Sequence, residues 1–260
     1  MRDPNPAASR RLLWAAGIIG FALSGFFDGI LLHQVLQWHH LFSLVPGEAW
    51  RDIRNQILMD GLFHILMYVI ASIGLFRLWR ARHELRAPGA GRNVAAGALL
   101  GFGLWNVVDV VGFHWLIGIH RIRVGVPDPL PYDVGWLAAF ALPFLIGGWR
   151  ILRRATPGGP SGGLAAAVLA LLTPIAATVA GLPPPNGKAA VALFAPDTPP
   201  ASMFAAAAAA DARILWIDRA SGLAAFAGDR PPAAEHLYAN GALFVSRSTA
   251  LAGCLAWATT

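Results

Sequence analysis

The chain has 260 residues, of which 56% are hydrophobic and only 13% charged; a soluble domain carries about twice that charged fraction, so composition argues against a water-soluble globular protein. Twenty Lys and Arg against 14 Asp and Glu give a net charge of +6. In a soluble chain that excess would point to nucleic acid, but here the positives sit in short connections between apolar runs and report membrane topology, with no nucleic-acid partner expected.

The N-terminus, Met1 to Arg11, leads into an apolar run too long for a cleaved signal sequence, so a retained first span is expected from about Leu12 to the His39-His40 region. A polar connection, Ser43 to Gln56, carries Pro46-Gly47, Glu48, Arg51, Asp52 and Arg54. The second span runs from about Ile57 to Leu78 and gives way to an arginine-dense loop with Arg77, Arg80, Arg82, Arg86 and Arg92, broken by Pro88-Gly89. A third span covers about Val94 to Ile119, and a fourth, after Pro127, Pro129 and Pro131, about Val134 to Trp149. Arg150, Arg153 and Arg154 precede a fifth span, about Leu164 to Gly181, in which Pro174 predicts a kink.

Positive charge orients these spans. The N-terminus, the second-to-third loop and the fourth-to-fifth loop hold the arginine excess, whereas Arg51, Arg54, Arg121 and Arg123 on the other side are offset by Glu48, Asp52, Asp128 and Asp133. The positive-inside rule predicts a multi-pass protein of the bacterial cytoplasmic (inner) membrane, N-terminus in and C-terminus out. The arginine loops face anionic lipid heads. After Gly181 the composition changes: a Pro/Gly linker, a strand-like run at Ala189–Phe194 and a helical stretch at Ala201–Ala210. A hairpin around Ser221-Gly222 and a strand at Ala242–Ser246 complete the tail. The expected fold is an all-α polytopic membrane helix bundle, four helices plus a fifth span, with a small C-terminal α+β module outside the membrane. Its units are residues 1–155, 156–181 and 182–260. The single cysteine, Cys254, leaves no internal disulfide and no cysteine-based metal cluster within one chain.

Function has to be read from the ionisable residues that lie inside the spans. Placing an Asp near the centre of a span costs roughly 2.5–3.5 kcal/mol on insertion scales. Yet Asp28, Asp60 and Asp109 lie in three different spans, with His33, His64 and His114 beside them. The pattern D-x4-H-x5-H occurs twice, as Asp28-His33-His39 and as Asp109-His114-His120, with Gly20-Phe21-x-Leu23 and Gly101-Phe102-x-Leu104 in register upstream. This reads as an internal repeat. Counting about 20 residues from the arginine-rich ends puts all six at the outer end of the bundle, with His39, His40 and His120 at the rim and Asp133 at the same end. Asp60 and His64, one turn apart, suggest a carboxylate orienting an imidazole. On α-helical geometry Asp28 and His39 align over three turns, but Asp28 and His33 lie about 140° apart. The members of one span are then expected to reach different neighbours, or to form two centres. His39 and His40 have an alternative role in an interfacial aromatic belt with Trp38, and His83 and His236 are expected in solvent.

The run Asp28-Gly29-x3-His33-Gln34-x2-Gln37-Trp38-His39-His40, with Asp60-Gly61-x2-His64 and Asn106-x2-Asp109-x4-His114-x5-His120, resembles a family of prokaryotic integral membrane proteins known only as a domain of unknown function. The resemblance covers roughly residues 12–155 and implies a membrane location, with no activity or cofactor attached. Imidazoles and carboxylates from several helices suit Zn, Fe, Mn or Cu(II). The leading expectation is therefore an integral membrane metal-binding protein, metalloenzyme or metal-handling factor, with His33, His64, His114, Asp28, Asp60, Asp109, His39 and His120 as candidate ligands. Two alternatives stand beside it. One is a b-type haem protein ligated by His33 and His114, the other a small proton- or ion-coupled transporter. Membrane lipid is the expected partner, with a second copy or another membrane protein as a further one. No phosphate loop, dinucleotide fingerprint or HExxH motif occurs.

Overall fold

The computed structural model describes residues 6–36, 38–51, 53–153, 160–182, 188–219 and 222–247. Five helices are long and apolar enough to cross a membrane: Ala8–Val35, Leu58–Arg80, Ala90–Ile117, Leu130–Arg153 and Gly163–Gly181. The first is α1 (Pro6–Asp28), extended by a π-helical segment at Gly29–Val35. After a short α2 (Glu48–Arg51) comes the second, α3 (Ile53–Arg80). The third is α4 (Ala90–Val107), likewise continued as π-helix over Val108–Ile117. The fourth joins α5 (Leu130–Trp136) to α6 (Leu142–Arg153) through a π-helical stretch, and the fifth is α7 (Gly163–Gly181), which includes Pro174.

Helix α1 is central: it packs on α4, α3 and α7, while α4 also packs on α6. Small residues permit the closest crossing. A Cβ added at Gly101 would strike the carbonyl of Gly17, and one added at Gly20 or Gly97 would strike the carbonyl of Ala98 or Leu13. Gly97 and Gly101 form the small-xxx-small spacing through which membrane helices bring their backbones together when no hydrophobic effect drives them. Polar side chains pin the same interfaces nearer the far end. Asn106 donates to Ser24 Oγ (2.8 Å) and to the Phe140 carbonyl (3.2 Å), and accepts from Trp136 Nε1 (2.7 Å), so one amide joins the first, third and fourth spans. Gln34 donates to the Ala180 carbonyl (2.6 Å), fixing α7 against the π-segment of the first span.

Both D-x4-H-x5-H runs leave the helix before their last histidine. The first span ends at Val35 and the third at Ile117, where Gly118 takes the left-handed conformation (φ 75°) that stops it. His39, His40 and His120 therefore lie in loops, so the expected three-turn helical alignment of Asp28 with His39, and of Asp109 with His120, is not how they meet. Gln37, part of the Asp28–His40 motif, lies outside the described residues, as do Asp52, Arg154, Ser221 and Cys254.

The C-terminal part is a four-stranded antiparallel sheet of order β2-β3-β1-β4, from β1 (Ala189–Phe194), β2 (Arg213–Asp218), β3 (Leu223–Ala227) and β4 (Ala242–Ser246). With α8 (Pro200–Ala209) after β1 and α9 (Ala234–Ala239) before β4, the chain order is the split βαβ arrangement. Ala192, Phe194, Ala224 and Phe226 face Met203 and Leu237 in its core. Among the described residues of this part, α9, six residues without apolar periodicity, was not expected from the sequence.

Because the glycine contact is backbone on backbone, it has no flexible side chain to yield. Gly101→Ala is expected to destabilise the bundle by about 1–3 kcal/mol, the usual range for overpacking. Gly135→Ala, where an added Cβ meets nothing within 4 Å, should leave it unchanged. Thermal unfolding of the two variants in detergent checks the difference.

Candidate metal centre

The D-x4-H spacing puts two side chains about 140° apart on an α-helix, but a π-helix closes its hydrogen bonds from i to i+5. Asp28 immediately precedes the π-segment Gly29–Val35 and His33 lies within it, while Asp109 and His114 both lie within Val108–Ile117. The widened turns show in the bonds Leu36 N–H to Leu31 O (2.8 Å) and Gly118 N–H to Phe113 O (2.8 Å). Each Asp and His then share a face, and the loop that follows returns the second histidine to them. Of the two arrangements expected, different neighbours or two centres, the donors fall into two groups, while His33 also meets Asp60 of the second span. Asp28, His33 and His39 bring one donor atom each to within 4.8 Å of one another, and so do Asp109, His114 and His120. All six are buried. The two groups touch through their rings. His39 stacks on His120 with centroids 4.6 Å apart, and His120 meets His114 edge-on, also at 4.6 Å.

The surrounding contacts match between the halves. Asp60 Oδ1 stands 3.2 Å from His33 Nδ1 and accepts the Leu41 N–H (2.9 Å), while its Oδ2 takes His40 Nδ1 (2.6 Å). Asp133 Oδ1 accepts His114 Nδ1 (3.0 Å) and the Ile122 N–H (3.1 Å), while its Oδ2 takes Arg121 (2.7 Å) and Trp115 Nε1 (2.9 Å). The second histidines are held crosswise. His39 Nδ1 donates to the Ile122 carbonyl (3.0 Å) and His120 Nδ1 to the Leu41 carbonyl (2.9 Å), so each is anchored by the other half's loop. Backbone bonds from Val124 N–H to Trp38 O (3.1 Å) and Leu44 N–H to Ile119 O (2.9 Å) lock the two loops together.

These anchors set the tautomers. A carbonyl oxygen only accepts, so a ring nitrogen bonded to it carries the proton, and a neutral imidazole then has a bare lone pair on its other nitrogen. This applies to His39, to His120 and to His64, whose Nδ1 donates to the Asp60 carbonyl (2.8 Å). Burial pushes the His39 imidazolium well below the usual histidine range, and burial likewise lowers His120, so both rings are neutral. Their bare Nε2 atoms meet partners that have no obligatory proton to offer. His39 Nε2 lies 3.1 Å from His33 Nε2, His120 Nε2 lies 3.1 Å from Asp109 Oδ1, and His114 Nε2 lies 3.2 Å from Asp109 Oδ2. Asp28 Oδ1, Asp109 Oδ2, His64 Nε2 and His114 Nε2 are buried with no hydrogen-bond partner. Each of these contacts needs either a shared proton, as in an ordinary hydrogen bond or ion pair, or a metal cation between the lone pairs. Two imidazole nitrogens on one ion at about 2.0–2.1 Å fall roughly 3–3.4 Å apart, which brackets the His33–His39 separation.

Of the eight residues expected as ligands, six therefore stand in the two groups. Asp60 stands behind them, spending its carboxylate on His33, His40 and the Leu41 amide. It orients His64 through its backbone carbonyl and not, as expected, through its carboxylate. His64 Nε2 faces the first π-segment so closely that a Cβ on Gly29 would lie 2.6 Å from it. His83 and His236 are exposed. Asp133, noted in the sequence only for its depth, proves to be the counterpart of Asp60; an Asp opening an apolar span was the available signal. The parts played by Arg121 and Trp115 carried none, because both sit where interfacial residues are ordinary.

Fold and site together define a polytopic helical membrane protein with a buried cluster of imidazoles and carboxylates at one end of its bundle. The chain belongs to the family described as "Predicted membrane protein (DUF2243)", whose model matches residues 15–155. That stretch contains both groups and all the residues that orient them. No match to a curated protein or to a solved structure accompanies it.

The tautomers are directly measurable. Imidazole ¹⁵N spectra of metal-free protein near pH 8 should show His39, His64 and His120 protonated at Nδ1 alone; an Nε2–H form at any of the three would contradict the anchoring.

Proposed function

We propose that this protein is an integral membrane metalloprotein that holds two transition-metal ions, one in each Asp-His-His group. The observation that carries the reading is the common orientation of the histidines. His33, His39, His114 and His120 each turn Nδ1 to an outer acceptor and Nε2 towards a group of buried donors. Metal-ligating histidines are held in this way, the second nitrogen on a carboxylate or carbonyl that fixes ring and tautomer. Zn, Fe, Mn and Cu(II) all suit two imidazoles and a carboxylate.

Each group supplies three protein donors, leaving a coordination position open for water or substrate, the condition of catalytic sites more than of closed structural ones. Metal-assisted chemistry is thus favoured over storage. The ion would supply Lewis acidity and lower the pKa of a bound water towards neutrality. A haem is less well served: the rings of His39 and His120 lie between His33 and His114, the imidazoles that would have to face each other across a macrocycle. The matched partners of Asp60 and Asp133 support the reading of the halves as copies of one helix-pair unit. With the arginine-rich ends inside, the site would open towards the outer face of a bacterial cytoplasmic membrane.

Protein purified in mild detergent without chelator should contain up to two transition-metal ions per chain by elemental analysis. Less than about one tenth of an ion per chain, in protein that remains folded and is offered Zn, Fe, Mn and Cu, would sink the proposal. Asp133→Asn should weaken binding in the second group about 10–100-fold, the usual cost of losing an outer-shell partner. Because His39 and His120 are braced by each other's loops, His33→Ala should also lower affinity in the second group; independent titration of the two groups would refute that coupling.

A further inference from the structure

The opposite end of the bundle carries a different feature. A groove of about 1120 Å³ opens between α1 and α3, with Arg10, Arg11, Arg77 and Arg80 at its rim and Trp14 and Phe76 further in. Its one acidic lining residue, Glu84, pairs with Arg11 through Oε1 at 2.6–2.7 Å, so against Arg10, Arg11, Arg77 and Arg80 the lining keeps an excess of positive charge. Trp14 also lines a second groove, about 490 Å³, formed by residues further along α1 and α4. There the walls are Gly17, Ile18 and Phe21 of α1, Ile70 of α3, and Leu100 and Leu104 of α4. Trp14 is 63% exposed, Phe76 55% and Leu104 50%, on helices that span the membrane.

A basic groove and an apolar groove that share Trp14, on helices long and apolar enough to cross a membrane, match one kind of molecule. We propose that this surface binds one anionic phospholipid, its phosphate on Arg10, Arg77 and Arg80 and an acyl chain along the groove from Trp14 to Phe21. Guanidinium groups recognise phosphate oxygens through paired hydrogen bonds, and cationic residues beside a span attract anionic lipid. A soluble anion would use the rim and gain nothing from the channel. A zwitterionic lipid would bring an ammonium group among three arginines. Gly17 and Gly101, which meet at the contact of α1 with α4, both line this groove.

The test is native mass spectrometry of the full chain in mild detergent, with phosphatidylglycerol or phosphatidylcholine added at equal concentration. One phosphatidylglycerol per chain should be retained and phosphatidylcholine should not. Retention should fall at least about tenfold in the double variant Arg77→Gln, Arg80→Gln, with helicity by circular dichroism unchanged. Ile18→Trp, which narrows the channel and leaves every arginine in place, should lower it as well and serves if the double variant misfolds. Equal retention of the two lipids, or full retention in the folded variants, would overturn the proposal. So would displacement by millimolar inorganic phosphate, which would reduce the site to a rim for free anions.

Discussion

The constraint on which this structure depends is the burial of four carboxylates and five imidazoles in one end of a membrane bundle. Asp28, Asp60, Asp109 and Asp133, with His33, His39, His64, His114 and His120, are all buried. Ionisable groups in that setting are costly unless each finds a partner, and most of the architecture near them follows from this demand. The outer oxygens of Asp60 and Asp133 are satisfied by His40 and by Arg121 with Trp115. The loops after the first and third spans fold back so that their carbonyls accept protons from the second histidines. Among the buried atoms that stay without a hydrogen-bond partner are Asp28 Oδ1, Asp109 Oδ2 and His114 Nε2 within the two groups, together with His33 Nδ1 and His64 Nε2 beside them. This pattern of anchored rings around converging donors is what supports the metal-binding proposal.

Much of this was legible from residue spacing, and its limits are physical. The five spans follow from run length and hydropathy, and the site residues follow from the price of charge inside an apolar helix. The convergence of Asp28 with His33 was hidden because the helical wheel assumes 3.6 residues per turn, whereas this segment is π-helical. The spacing itself held the hint, since an interval of five suits a π-turn and suits neither face of an α-helix. Loop return was beyond reach for another reason. His39 and His120 meet their groups through tertiary bonds to Ile122 and Leu41, and no local pattern encodes a partner on another loop. The same holds for Asp60, whose four-residue spacing to His64 is real but is used by its carbonyl and leaves the carboxylate for His33.

The close packing of α1 on α4 belongs to the same physics. Gly17, Gly20, Gly97 and Gly101 let the first and third spans run nearly in contact, as parallel helices. Asp28 and Asp109 sit further along these same two helices, so the approach that the glycines permit sets the separation of the two groups. Asn106, bonded to Ser24, Phe140 and Trp136, holds the approach one turn below Asp109. Geometry at the site is therefore inherited from backbone contacts along the bundle, where nothing chemical happens.

The two halves are matched but not identical, and the differences fall outside the six donors. Where the first half places His40 on the outer oxygen of its aspartate, the second places Arg121 and adds Trp115. Where the second half has Leu137 one turn beyond Asp133, the first has His64 one turn beyond Asp60, with Nε2 unpartnered against Gly29. A guanidinium is permanently charged, so the outer oxygen of Asp133 faces a fixed cation where that of Asp60 faces an imidazole nitrogen. The same three donors are thus presented under different fields. Two ions in such groups would not have equal affinity or equal Lewis acidity, and the half containing His64 has one more nitrogen to offer. Division of labour between the centres would arise from these outer residues, with Asp-His-His common to both.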